Sequence, residues 1–102
     1  MELEYAAKQL EALGNSTRLA IYRYLVEIGK PGSTVGAIRD SLDVPASTFS
    51  HHISKLVNAG LISQQRDGRA LICHANHPGM DELMEYLVNN CCTEEWYIQP
   101  DE

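Results

Sequence analysis

No stretch of this 102-residue sequence is apolar for anything near the roughly 18 residues that a membrane span needs. The opening residues, MELEYAAKQL, lack the form of a signal peptide. A soluble, cytoplasmic chain without a membrane partner is therefore expected. Cysteine is scarce, and Cys73, Cys91 and Cys92 are odd in number with two of them adjacent, a poor disulfide framework. There is no Cys-x-x-Cys, no catalytic triad pattern and no Gly-rich phosphate loop, so an enzyme is not expected. Repeats, low-complexity tracts and linkers are also missing, and the length fits a single domain over residues 1–102.

The formal net charge of −6 would argue against a nucleic-acid partner if it were evenly spread. It is not. Residues 78–102 hold seven acids, Asp81, Glu82, Glu85, Glu94, Glu95, Asp101 and Glu102, and no base, while residues 44–77 set Lys55, Arg66 and Arg69 against Asp67 alone. The acidity belongs to the C-terminal end, including an acidic tail over 93–102, and a phosphate-facing surface has to lie elsewhere.

Apolar spacing predicts a first helix over residues 2–13, with Leu3, Ala6, Ala7, Leu10 and Leu13 on one stripe and Gly14 ending it. NST then offers capping chemistry for a second helix, which carries Leu19, Ile21, Tyr22, Leu25, Val26 and Ile28 up to Gly29. TVGAIRDSL (34–42) reads as a short third helix, and Pro45 opens a fourth whose core side is Ala46, Phe49, Ile53, Leu56 and Val57. LISQQRDGRALICHA reads as two short strands joined at RDGR. MDELMEYLVNNCC predicts a last helix with Met80, Leu83, Met84, Leu87, Val88, Cys91 and Cys92 on one stripe. The expected fold is mainly α with a small β-hairpin, in the order ααααββα, which is the winged helix-turn-helix plan. The stripes of the first and last helices exceed what one small domain covers, so a homodimer built through them is expected.

The fourth helix decides the functional reading. Away from its core side it presents Ser47, Thr48, Ser50, His51, Ser54 and Lys55 and not one carboxylate. A helix that enters the major groove of double-stranded DNA needs this set: short donors and acceptors for base edges and phosphates, one counterion-releasing lysine, and no negative charge. A merely solvated face normally mixes glutamate with lysine. Arg66 and Arg69 flank the hairpin turn, placed for backbone phosphates or a minor groove.

LGNSTRLAIYRYL followed by FSHHISKLVNAGLISQQRDGRAL resembles the ArsR/SmtB family of bacterial metalloregulatory repressors, whose recognition helix and wing follow the pattern xSxHLxxLxxAGLVxxxxxGR. The likeness spans roughly residues 3 to 92. It implies a homodimer on palindromic operator DNA that an effector releases. By position it places Ser47, Thr48, Ser50, His51 and Lys55 among the DNA contacts and Arg66 and Arg69 on the wing. His52 matches the family's recognition-helix histidine, whose role is as much packing as base contact.

The resemblance also frames the effector. Arsenic sensors with Cys-x-Cys at the start of the helix-turn-helix have no counterpart in TVGAIRDSL, and zinc sensors with Asp-x-His early in the last helix have none in HPGMDELMEY or VNNCC. His74 and His77 with Cys73 nearby are a poor tetrahedral site without a fourth ligand. Cys91 and Cys92 resemble the vicinal pair that closes the last helix in a subset of arsenic-responsive members, and soft thiolates select thiophilic ions. Trivalent arsenic takes three bonds in a pyramid. Cys73 is a candidate third ligand, but it precedes the last helix and Cys91 lies about 21 Å along it at helical rise, so the third bond would come from the partner subunit's Cys73, from solvent or from the effector itself. An organoarsenical such as methylarsenite supplies its own carbon and needs only the pair, so arsenite and methylarsenite both stand as effectors, with no obligatory cofactor. Rival readings are packing alone for the cysteines, a redox or persulfide sensor, and a winged-helix protein-interaction module whose acidic end suits a basic partner.

Overall fold

The computed structural model describes residues 1–89. Its elements run α1 (Leu3–Leu13), α2 (Ser16–Ile28), β1 (Ser33–Thr34), α3 (Val35–Leu42), α4 (Ala46–Asn58), β2 (Ile62–Asp67), β3 (Ala70–Ala75) and α5 (His77–Val88). Three helices begin where a short polar side chain accepts an otherwise orphaned amide. Asn15 Oδ1 takes the Arg18 N–H at 3.0 Å, Thr34 Oγ1 that of Ala37 at 3.2 Å, and Asn76 Oδ1 that of Gly79 at 3.2 Å. Helix α3 stops at Asp43, whose φ of 54° is a left-handed conformation that aspartate tolerates better than most residues. Val44 and Pro45 complete the sharp turn into α4.

That turn sets α3 and α4 around a common core. Ile21, Leu25, Ile38, Phe49, Ile53 and Leu56 meet there, and the sheet adds Leu61, Ile62 and Cys73. The sheet is antiparallel in the order β1-β3-β2. The hairpin closes with Asp67 opposite Ala70, so Gly68 and Arg69 form its two-residue loop. Gly68 has φ 65° and Arg69 is not in the left-handed region, the pattern of a type II′ turn. The loop residues, Gly-Arg, fall within the RDGR segment at which the sequence joins the two strands.

The winged order and the hairpin match expectation, with one addition. Ser33, in the break after the second helix, and Thr34, which the sequence places at the start of the third, form a third strand opposite Cys73 and Ile72. Two residues are too short for a period-2 signal, and only the presence of β3 makes them a strand.

The helical stripes need correction. Helix α1 buries Ala6, Gln9 and Ala12, whereas Leu3 and Leu10 are exposed. Small side chains on its inner side let α1 lie close, and Tyr5 brings its hydroxyl to where a side chain at Gly60 would stand. In α2, Leu19 and Ile28 are exposed, and in α4, Ala46 is exposed. Helix α5 buries only Leu83 fully and leaves Met84, Leu87 and Val88 in the open. It ends at Val88, with Asn89 extended, so Cys91, Cys92 and the 93–102 tail lie outside the described residues. Among the described residues no helix is long and apolar enough to cross a membrane.

Candidate nucleic-acid interface

The amphipathic division of α4 positions the site. Phe49, Ile53 and Leu56 fix one side in the core, so the helix has a single possible rotation. Ser47, Thr48, Ser50, His51 and Ser54 are consequently exposed. Thr48 Oγ1 is 3.5 Å from the Pro45 carbonyl oxygen, a contact too long to hold the hydroxyl firmly. The helix itself carries no carboxylate, as its sequence requires.

A carboxylate nevertheless arrives from another element. Glu11, on α1, accepts from Lys55 Nζ at 3.0 and 3.1 Å through its two carboxylate oxygens. The hydrogen bond and charge of Lys55 hold the pKa of Glu11 below the ordinary carboxylate value, and the pair is solvent-exposed. Lys8, Glu11, His51, Ser54 and Lys55 line the shallow cleft between α1 and α4. One turn further along, at the C-cap of α4, Gln9 is fully buried and its Nε2 donates to the Ala59 carbonyl at 2.9 Å. Among the described residues its Oε1 has no partner, a cost of about 1–3 kcal/mol for a buried acceptor. Two side chains of α1, Gln9 and Glu11, therefore tie it to the C-terminal end of α4.

His52 is set apart from its neighbour. It is half-buried, and its Nδ1 lies 3.2 Å from Arg18 Nη1 on α2. Burial first, then the charges of Arg18 and His51, push its imidazole to titrate below the ordinary value. The His51 and His52 rings are 6.1 Å apart and tilted, so His51 faces solvent while His52 faces the α1–α2 junction. Arg66 and Arg69 are exposed on the hairpin, Arg66 in β2 opposite Leu71 and Arg69 in the loop. Neither forms an ion pair with a described residue. The polar end of α4 and the wing thus supply the donors and positive charge that the sequence reading asked for.

The cysteines fare differently. Cys73 is completely buried in the middle strand, where burial pushes its thiol pKa up and Gln64 Nε2 donates to its sulfur at 3.5 Å. A thiol in that state packs as a small hydrophobe and is a reluctant thiolate. Cys91 and Cys92 fall beyond the described residues. His74 is engaged by the Lys30 carbonyl oxygen at 2.9 Å, and His77 starts α5 at the surface. Among the described residues no three metal-binding side chains gather.

Sequence reading missed Arg18, Glu11 and Gln9. Arg18 had a signal: at three, four and seven residues before Ile21, Tyr22 and Leu25 it falls on the buried face of α2. Glu11 had none, because its partner lies 44 residues away.

The comparisons agree with this geometry. The profile of the helix-turn-helix domain family matches residues 13–65, slightly more than half the chain. The HTH-type transcriptional regulator YgaV of Escherichia coli is 29% identical over 89 residues, spanning 87% of this chain and 88% of its own. A putative arsenical resistance operon repressor ArsR of Halobacterium salinarum is 39% identical over 67 residues, 66% of this chain and 51% of that protein. The homodimeric winged helix-turn-helix DNA-binding domain of a possible ArsR-family regulator of Mycobacterium bovis superposes with a TM-score of 0.69 at 22% identity, covering 89% of each chain. The helix pair α3–α4, the wing and the matched profile lead to one conclusion: this chain belongs to the helix-turn-helix family of transcriptional regulators, in its winged form.

Proposed function

We propose that the protein is an ArsR-type transcriptional repressor that binds palindromic operator DNA as a homodimer and is released by a trivalent arsenical. The observation that carries the DNA-binding part is α4, which exposes Ser47, Thr48, Ser50 and His51 in the absence of any acid of its own. In the groove these side chains read base edges, Lys55 takes a phosphate in place of Glu11, and Arg66 and Arg69 meet the backbone beside the groove. The dimer rests on the uncovered Leu3, Leu10, Met84, Leu87 and Val88 of α1 and α5. A homodimeric relative of the same fold supports that arrangement.

The effector part rests on thiol chemistry and on the arsenical resistance repressor among the relatives. Cys91 and Cys92 follow α5 within a few residues, at the end of the helix assigned to the interface. Closing both sulfurs onto one arsenic constrains that end and shifts the spacing between the two recognition helices. The ion achieves release by binding the off-DNA state more tightly, a coupling of about 1–3 kcal/mol. Burial of Cys73 favours the version with two protein thiolates, with the third position on arsenic filled by a methyl group or by solvent oxygen.

Operator retention in the presence of arsenite and of methylarsenite tests this. Either arsenical is expected to release the wild-type protein, and Cys91→Ser with Cys92→Ser is expected to abolish release while leaving repression intact. Cys73→Ser should leave the methylarsenite response unchanged. Release by every arsenical from the doubly substituted protein overturns the effector assignment. Release by a mild oxidant or persulfide, with no response to arsenic, transfers the pair to redox sensing.

A further inference from the structure

Arg18 is a full positive charge with only 7% of its surface exposed, on the same side of α2 as Ile21, Tyr22 and Leu25. Such a group is tolerable only if its donors are met. Two of them meet the last turn of α1: Nε donates to the Ala12 carbonyl at 2.6 Å and Nη2 to the Glu11 carbonyl at 3.4 Å. These are carbonyls that a helix end leaves without intrahelical partners, at the negative end of its dipole. The third, Nη1, reaches across to α4 and meets His52 Nδ1 at 3.2 Å.

The chemistry of that last contact is one-sided. A guanidinium has five donors, no acceptor and no accessible deprotonated form. The contact is a hydrogen bond only when His52 Nδ1 offers a bare lone pair. A neutral imidazole carries one proton, which must then sit on Nε2. We propose that Arg18 is a positioning residue for DNA recognition: it holds His52 in the neutral Nε2–H tautomer and so makes that ring a fixed hydrogen-bond donor to a phosphate or purine acceptor. This rests on the reading of α4 as the DNA-facing helix.

The groups around the ring favour the same state. Arg18 from α2 and His51 from α4 both disfavour a second proton on His52, and burial acts in that direction too. Lys55, one turn further along α4, is a third cation. Glu11 from α1 is the acid of the group, and it is engaged by Lys55 at 3.0 Å and lies 4.0 Å from Arg18 Nη2. His52 is thus a recognition-helix side chain whose orientation is set by a different helix. His51 beside it is free to turn, so the adjacent histidines are not equivalent: one is a fixed donor and the other an adaptable contact.

The free, full-length protein labelled with nitrogen-15 provides the first test, since long-range correlation spectra report which ring nitrogen is protonated. The expected result at pH 7 is a neutral His52 with its proton on Nε2 and a midpoint below the ordinary imidazole value. An Nδ1–H tautomer or an imidazolium there overturns the proposal, and no substitution is needed. Arg18→Lys, which keeps the charge but loses the fork, should mix the tautomers.

Operator binding gives the second test. Glutamine can place an N–H near the position of Nε2 and asparagine near that of Nδ1, so His52→Gln should bind within about threefold of wild type and His52→Asn about tenfold more weakly. Equal affinities for the two variants overturn the donor role. If both bind as wild type while Ser50→Ala and His51→Ala weaken binding, the proposal falls and the recognition-helix reading survives. If none of the four substitutions matters, both fall.

Discussion

Helices α4 and α5 each leave one side uncovered, and the two sides could hardly differ more. The open side of α4 holds hydroxyls and an imidazole without a carboxylate; that of α5 holds Met84, Leu87 and Val88 among Asp81, Glu82 and Glu85. Both helices pack against α1. An exposed polar residue or an isolated exposed leucine needs no explanation. The informative feature is what each surface omits: α4 lacks the acids that ordinarily keep a solvated helix soluble, and α5 lacks the bases that would balance its acids. Net charge of −6 is therefore compatible with a polyanion partner, because half of the fourteen acids lie in residues 78–102, three of them on the helix assigned to self-association.

The sharpest way to break this contrast lies within α5. Leu83→Ala should lower stability by about 2–5 kcal/mol in chemical denaturation at fixed protein concentration, because that leucine is in the core. Lysine at both Met84 and Leu87 should leave the secondary structure intact yet produce a monomer in sedimentation. Operator affinity should then drop by about a hundredfold or more, as the second half-site loses its tether. A stable dimer carrying both lysines would end the assignment of α5 to the interface.

On α4 the expected effects are smaller and act on DNA. Ser50→Ala and His51→Ala should each cost about 1–3 kcal/mol of operator binding and relax sequence preference, with the denaturation curve unmoved. Arg69→Ala, on the wing, should weaken binding to all sequences alike and reduce the salt slope by about one. An Arg69 variant with unchanged affinity and salt slope removes the wing from the interface.

Acid titration separates the two helices without substitution. His52 titrates below its ordinary 6.5, so the fold favours its neutral form. Its contribution is complete above 6.5 and is lost as the pH falls from there through the lowered folded value. Stability should decline over that window, and His52→Gln should flatten the decline. Glu11 acts in the same direction lower down, below the ordinary 4.5. The smallest expected effect is Glu11→Gln, which releases Lys55 from its carboxylate and should raise affinity for any DNA by about twofold. A loss of affinity would mean that Glu11 orients Lys55 for DNA and does not compete with it.

The sequence made legible those features that a single segment carries. Helix boundaries followed from Asn15, Gly29, Thr34 and Pro45, and the polar side of α4 followed from the spacing of Phe49, Ile53 and Leu56. Hidden from it were features that need two segments at once. The Glu11–Lys55 pair, the reach of Arg18 from the end of α1 to His52, and the pairing of Ser33 with Cys73 span 34 to 44 residues each in the case of the side-chain contacts. The stripe on α1 was misjudged because periodicity counts size: the leucines looked like the inner side, yet Ala6 and Ala12 fit the narrow gap and leave Leu3 and Leu10 for another surface.

The short strand β1 gives the wing an uneven support. It reaches only Cys73 and Ile72, so the sheet is three strands wide at that point and two strands wide from Leu71 to the Gly68–Arg69 loop. The hairpin is a cantilever, clamped at its base and free over the part that bears Arg66 and Arg69. Hydrogen exchange should accordingly be slow at the amides of Ile72 and Cys73 and fast at the tip. Such a beam can bend at its tip while its root stays registered with α4, and under the proposed function that compliance would let one protein accommodate operators whose backbones differ in shape.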